Sequence, residues 1–193
     1  MDHPDASKWN QRYREKTQTP GPCSVLQQQC HLLPETGIAL DLACGLGGNS
    51  LFLAARNLEV QAWDISAVAL ARLQQQAAQP DLKISTEIRD LKALPPVPQS
   101  FDCIVVSYYL ERSICPAIAA SLKPGGVLFY QTFTAGKLSD KGPSNKEFLL
   151  ENNELLHLFP GLEIRFYQEN GRCGNLEAGD RDTAMLVAQK PLH

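Results

Sequence analysis

The chain has 193 residues, 44% hydrophobic and 20% charged, with a net charge of −3 at neutral pH. Such a composition describes one ordinary globular domain with a substantial core. The mild negative charge argues against a partner read through a broad basic surface, so no nucleic-acid partner is expected. No apolar run approaches the ~20 residues that span a bilayer, so no membrane partner is expected.

In chain order, residues 1–21 are polar and lack the apolar segment of a secretory signal, which sets a cytoplasmic expectation. Trp9, Arg12 and Tyr13 fall at helical spacing and can share one face. That face serves either as a docking helix over the core or as a lid over a ligand. Thr17–Pro22 reads as a linker, and Cys23–Leu33 as a helix stopped by Pro34 and Gly37. Ile38–Leu42 is a short apolar strand that breaks into glycines and continues as a helix over about 48–57. Val60–Asp64 is the next strand, Ser66 the N-cap of a helix over Ala67–Gln79 ended by Pro80, and Lys83–Ile88 a third strand. Prolines 95, 96 and 98 mark a loop. Phe101–Ser107 is nearly continuous in apolar residues, as in a parallel sheet covered on both faces.

A helix over about Glu111–Leu122 follows, irregular at Pro116. Lys123–Gly126 gives a turn and Val127–Thr132 a fifth strand. Ala135–Asn145 is polar and glycine-containing, a mobile loop, and Lys146–Phe159 reads as helical. Leu162–Gln168 and Ala184–Gln189 close the chain as two successive strands. The alternation predicts an α/β fold: a Rossmann-like, mostly parallel seven-stranded sheet with helices on both faces and a C-terminal antiparallel hairpin. Residues 1–193 read as a single domain. The six cysteines contain no C-x-x-C pair or zinc spacing with histidine, so they read as reduced thiols and no metal is expected.

The functional signal is the turn Asp41-Leu42-Ala43-Cys44-Gly45-Leu46-Gly47-Gly48-Asn49-Ser50. Glycines let a ligand approach the backbone, and the following helix offers free N–H groups. The turn is either a bare connector or a ligand cradle. Asp64, a carboxylate at the end of the next strand and nineteen positions beyond Gly45, favours a cradle for a ribose-bearing ligand. The dinucleotide fingerprint G-x-G-x-x-G is incomplete, because Ser50 occupies the third glycine position.

Five pieces in order resemble the class I S-adenosylmethionine-dependent methyltransferases: the Leu40–Gly47 turn, Trp63-Asp64, Asp90-Leu91, Phe101-Asp102 and Leu122-Lys123-Pro124-Gly125-Gly126. Within that class, Asn49-Ser50 after the turn, Ala62-Trp63-Asp64, and Trp9-x-x-Arg12-Tyr13 ahead of them resemble the tellurite-resistance methyltransferase branch and its small bacterial relatives. The resemblance implies S-adenosyl-L-methionine as cofactor. Asp41, Ala43, Gly45, Gly47 and Asn49 would lie along its methionine side. Asp64 would bind the ribose hydroxyls, Ile65 the adenine face, and Asp90 the adenine amino group, with Leu91 beside it. Ser107 would line the methyl-transfer region, and Trp9 and Tyr13 would cover the cofactor. The family often has glycine where this chain has Ala43; alanine suits that turn if its φ is negative.

Tyr108, Tyr109 and Arg12 are candidate contacts for the acceptor, with the pocket drawn from residues 1–22, 107–112 and 135–145. No general base can be placed. His3, His31, His157 and His193 are scattered, and His157 reads as a surface or packing residue. The leading expectation is methyl transfer to a small-molecule acceptor by direct displacement, in a monomer or homodimer. A protein that binds S-adenosylmethionine without catalysis and an NAD-dependent oxidoreductase are the alternatives. A nucleic-acid methyltransferase is disfavoured, since Ser107-Tyr108-Tyr109-Leu110 stands where an Asn/Asp-Pro-Pro-Tyr/Phe motif would.

Overall fold

The computed structural model describes residues 4–78 and 82–192. Seven strands form one sheet in the order β3-β2-β1-β4-β5-β7-β6. They are β1 (Gly37–Leu42), β2 (Leu58–Asp64), β3 (Ile84–Ile88), β4 (Phe101–Ser107), β5 (Leu122–Phe133), β6 (Glu163–Gln168) and β7 (Thr183–Gln189). β3, β2, β1, β4 and β5 run parallel; β7 lies antiparallel to both β5 and β6. The expected fold and its C-terminal hairpin are therefore present. The order reverses between β1 and β4, and open α/β sheets hold ligands outside the strand ends at such a point.

The helices are α1 (Pro4–Glu15), α2 (Ser24–Gln28), α3 (Gly48–Ala54), α4 (Ala67–Ala78), α5 (Cys115–Ser121) and α6 (Glu154–Leu158). Alternate residues of the central strands feed two cores. Leu40, Leu42, Ile104, Val106, Leu128 and Tyr130 join the α5 and α6 side. Ala39, Cys103, Val105 and Phe129 join Val25 and Leu26 of α2 and Leu53 of α3. Burial on both faces is why these strands read as continuous apolar runs.

Several boundaries differ from the sequence expectation. The helix expected over 23–33 is one turn of α2 and a 3-10 turn at Cys30–Leu32, separated where Gln29 leaves helical angles. α3 stops at Ala54, followed by Asn57 at φ 66°. Gln79 and Pro80, the expected end of α4, lie outside the described residues, as do His3 and His193. Pro116 opens α5 at its first turn rather than distorting it midway, where the missing N–H removes no helical bond. The turn expected at 123–126 is the bulged entry of β5, with Leu122 opposite Phe101 and Val127 opposite Cys103.

The largest departure is at 146–159. Only Lys146–Phe148 (3-10) and α6 are helical. Between them Leu150 pairs with the end of β5, its N–H donating to Phe133 O at 2.9 Å and its carbonyl accepting from Ala135 N at 2.8 Å. Leu149 and Leu150 are buried in that extended form. Tertiary pairing has overridden local helical preference.

Candidate functional site

β1 delivers Asp41 and Leu42 to the top of the sheet, and the chain then turns through Ala43, Gly45 and Gly47 at φ 56°, 54° and 81°. Ala43 thus adopts the left-handed region, contrary to the negative φ expected of an alanine there. Cys44 N donates to Trp63 O at 3.0 Å, and Gly47 N to Cys44 O at 2.9 Å, which fixes the turn against β2. The two glycines serve different neighbours. A Cβ on Gly47 would strike Leu73 of α4 at 2.3 Å, so that position is fixed by helix packing. A Cβ on Gly45 would meet the Tyr13 hydroxyl at 2.7 Å.

Asp41 is fully buried. It accepts from Ser50 Oγ at 2.6 Å and from Asn49 Nδ2 at 3.3 Å. Asn49 also donates to Ser107 Oγ at the end of β4, 2.9 Å, and accepts from Cys23 N at 2.9 Å. One amide thereby joins the ends of β1 and β4 to the start of α2. Asp64 ends β2, accepting from Gly45 N and Ser66 N, both at 2.8 Å. Burial pushes the Asp41 carboxyl up to about 6 and raises that of Asp64. No ion pair among the described residues includes either carboxylate.

α1 lies over this turn. Trp9 and Tyr13 stack with centroids 5.7 Å apart, and Tyr13 is buried against Leu46 and Ala69. Arg12 is exposed, its guanidinium over the Trp9 ring at 5.2 Å. Ile65 is half-buried beyond Asp64. After β3, Asp90 accepts from Lys92 N at 3.0 Å, and Leu91 is buried in the core that holds Trp63.

Past β4, Tyr108 stands half-exposed at φ 56° and packs on Phe133, centroids 5.2 Å apart. Tyr109 is half-buried, and its carbonyl accepts from Tyr130 Oη at 2.8 Å. Burial raises both tyrosine hydroxyls above their ordinary range. The loop after β5 is tethered, because Asp182 accepts from Leu138 N and Ser139 N. His157 is exposed on α6. Among the described residues, no group of three metal-ligating side chains occurs.

Two polar residues had no distinct signal in the sequence. Gln131 is fully buried on β5, accepting from Val25 N at 3.0 Å and donating to Thr183 Oγ1 at 3.2 Å. A polar side chain directly after the apolar run Val127–Tyr130 was its one visible mark. Asn10 of α1 accepts from Ser66 Oγ at 2.7 Å and Val68 N at 3.2 Å, and no local pattern announces that role.

A switch-point turn closed by strand-end carboxylates defines the nucleotide-type α/β class. Comparison with known proteins narrows it. Residues 39–126 match the family described as "Methyltransferase domain". The chain is 31% identical over 152 residues to the "Probable S-adenosyl-L-methionine-dependent methyltransferase TehB" of Haemophilus influenzae, a match covering 74% of this chain and 51% of that protein. It is 30% identical over 124 residues to the "Putative methyltransferase YqeM" of Bacillus subtilis, covering 58% of this chain and 49% of that one. The crystal structure of TehB from H. influenzae superposes with a TM-score of 0.73 at 22% identity, covering 94% of this chain and 67% of that one. The chain spans about half the length of the curated relatives it matches. The methyltransferase-domain match and the TehB relatives support a class I S-adenosylmethionine-dependent methyltransferase.

The residues present fit the family's cofactor. S-adenosylmethionine carries a sulfonium and an ammonium, and here two buried carboxylates lack any cation among the described ion pairs. A carboxylate has about four lone-pair directions, so the two backbone bonds to Asp64 leave others for a ribose diol.

Proposed function

We propose that the chain binds S-adenosylmethionine across the ends of β1, β2 and β4 and catalyses methyl transfer to a small-molecule acceptor. The observation that carries this reading is the pair of buried carboxylates, Asp41 and Asp64, at the ends of the adjacent strands β1 and β2, with no cationic partner in the ion pairs among the described residues. Asp64 accepts hydrogen bonds from the ribose hydroxyls. Asp41, through Asn49 and Ser50, presents negative charge to the methionine side, with Ala43 and Gly45 as the backbone wall. Ile65 and Leu91 flank the adenine, and Asp90 accepts from its amino group. Tyr13 and Trp9 cover the site from α1.

The bound cofactor supplies an activated methyl group, so the protein's own work is binding, orientation and exclusion of water. Ser107, held by Asn49, and Tyr108 at its left-handed backbone position frame the acceptor side. Tyr109 and Arg12 stand further out, Arg12 on the exposed face of α1. Burial keeps the protons on the Tyr108 and Tyr109 hydroxyls, and His157 is exposed on α6, so none of these three takes the part of a general base. The acceptor therefore enters as its own nucleophile, and transfer is a direct displacement.

Calorimetry with S-adenosylmethionine, S-adenosylhomocysteine and NAD tests the reading. The parent should bind the first two and not NAD. Asp64→Ala should weaken both by about 1.5–3 kcal/mol, the scale of hydrogen bonds to a charged group. Binding of NAD alone, or unaltered affinity in the variant, would overturn it.

A further inference from the structure

α1 and α4 cap one another. α4 begins at Ala67 with Ser66 as its cap, and Ala69 N donates to Ser66 Oγ at 3.2 Å. The next free donor, Val68 N, is met from outside the helix by the side-chain oxygen of Asn10, which also accepts from Ser66 Oγ. In return Arg72 of α4 donates to the carbonyls of Tyr13 at 3.0 Å and Lys16 at 2.7 Å, at the end of α1. Unsatisfied donors at a helix start and carbonyls at a helix end are what such partners satisfy.

The same Ser66 donates its N–H to Asp64 Oδ1. A continuous line therefore runs from Asn10 on α1, through Ser66, to the carboxylate at the end of β2. Three residues along α1, Tyr13 rests on Gly45, whose N–H holds the other oxygen of Asp64. Both oxygens of Asp64 are thus oriented by backbone that α1 braces.

We propose that Asn10 is a positioning residue for the cofactor: its amide oxygen caps α4 from α1 and so links the seating of α1 to the orientation of Asp64. The inference rests on Asp64 being the ribose ligand, as proposed above. It predicts that ligand binding at Asp64 and docking of α1 reinforce each other through Asn10. A cap that merely steadies α4 would lower thermal stability and leave affinity alone.

The test is calorimetry with S-adenosylhomocysteine on the parent, Asn10→Ala, Asn10→Asp, Asp64→Ala and the double variant Asn10→Ala/Asp64→Ala, with hydrogen exchange at Val68. Loss of a side-chain cap sets the expected weakening in Asn10→Ala at about 3- to 10-fold. Asn10→Asp keeps the acceptor at a helix start that favours negative charge, and should bind within about threefold of the parent. In the Asp64→Ala background, removing Asn10 should change affinity less than about twofold, because coupled residues are non-additive. Val68 exchange should slow on ligand binding in the parent and not in Asn10→Ala. Should Asn10→Ala fail to fold, Asn10→Gln, whose longer side chain misplaces the oxygen, takes its place. Parent-like affinity in Asn10→Ala, failure of Asn10→Asp to restore it, or an undiminished effect in the double variant overturns the inference. A parent that binds no S-adenosylhomocysteine overturns the cofactor reading instead.

Discussion

At the residue scale, Ala43 shows how a small departure from family pattern is tolerated. The left-handed conformation costs an L-residue about 1–2 kcal/mol. Glycine would relieve that, offset by about 0.5–1 kcal/mol of extra chain entropy and by a half-buried methyl group packed on the core. Ala43→Gly should therefore stabilise the fold by about 0.5 kcal/mol, read as a shift in urea midpoint. A loss of stability would mean that the methyl packing outweighs the strain. Asp41 sets a pH dependence. Its carboxyl titrates at about 6 folded against 3.8 ordinarily. The folded chain therefore holds that proton more tightly than the unfolded chain, and ionising Asp41 across this window opposes folding. A cationic ligand favours the ionised form, so affinity for S-adenosylmethionine should fall as pH drops from 7.5 to 5, by about tenfold. S-adenosylhomocysteine, which lacks the sulfonium charge, should fall less, and Asp41→Asn should flatten the difference. Equal slopes for both ligands would remove Asp41 from the charge balance. The glycine turn and Asp64 were legible in the sequence because glycine spacing and a strand-end acid are local signals. Asn10 and Gln131 were not, since their partners lie 56 and 106 positions away.

At the element scale, the strands were legible because burial on both sides makes them unbroken apolar runs flanked by turn residues. The segment 146–159 was not. Its sequence suits a helix, but Leu149 and Leu150 gain more by pairing with the end of β5. The device that holds this form is Arg112, which donates to both oxygens of Glu154, at 2.5 and 2.9 Å, and to the carbonyls of Glu147 and Leu149. A guanidinium has the fork geometry to bridge a carboxylate and two backbone oxygens at once. Arg112→Ala should destabilise the fold by about 1–3 kcal/mol, the range for hydrogen bonds to charged groups. The partial exposure of the pair places the value toward the lower end. Exchange at Leu149 and Leu150 should quicken before that of the central strands. A change below about 0.5 kcal/mol, as for an ordinary surface substitution, would show that the Leu149 and Leu150 burial suffices alone.

At the scale of the whole molecule, α1 stands apart from the rest of the core. The two large clusters that close the sheet contain none of its residues. Tyr13 and Trp9 belong instead to a small cluster with Leu46, Val68 and Ala69, directly above the glycine turn. Removal of residues 1–16 should accordingly leave the seven-stranded sheet folded, with near-parent far-UV dichroism, since a segment of few buried contacts lies at the low-stability end of a structure. The loss should fall on the site. Leu46 would be uncovered and the brace behind Asp64 removed, so affinity for S-adenosylhomocysteine should drop by about tenfold or more if α1 excludes water from the bound cofactor. Trp9 offers an independent optical report. The chain has two tryptophans, and in a Trp63→Phe background only Trp9 emits. A helix that tightens over the ligand predicts a shift of that emission and slower exchange across Trp9–Tyr13 on binding. A helix docked the same way with or without ligand predicts neither, and a truncated chain of parent-like affinity would leave α1 a packing element with no part in the site.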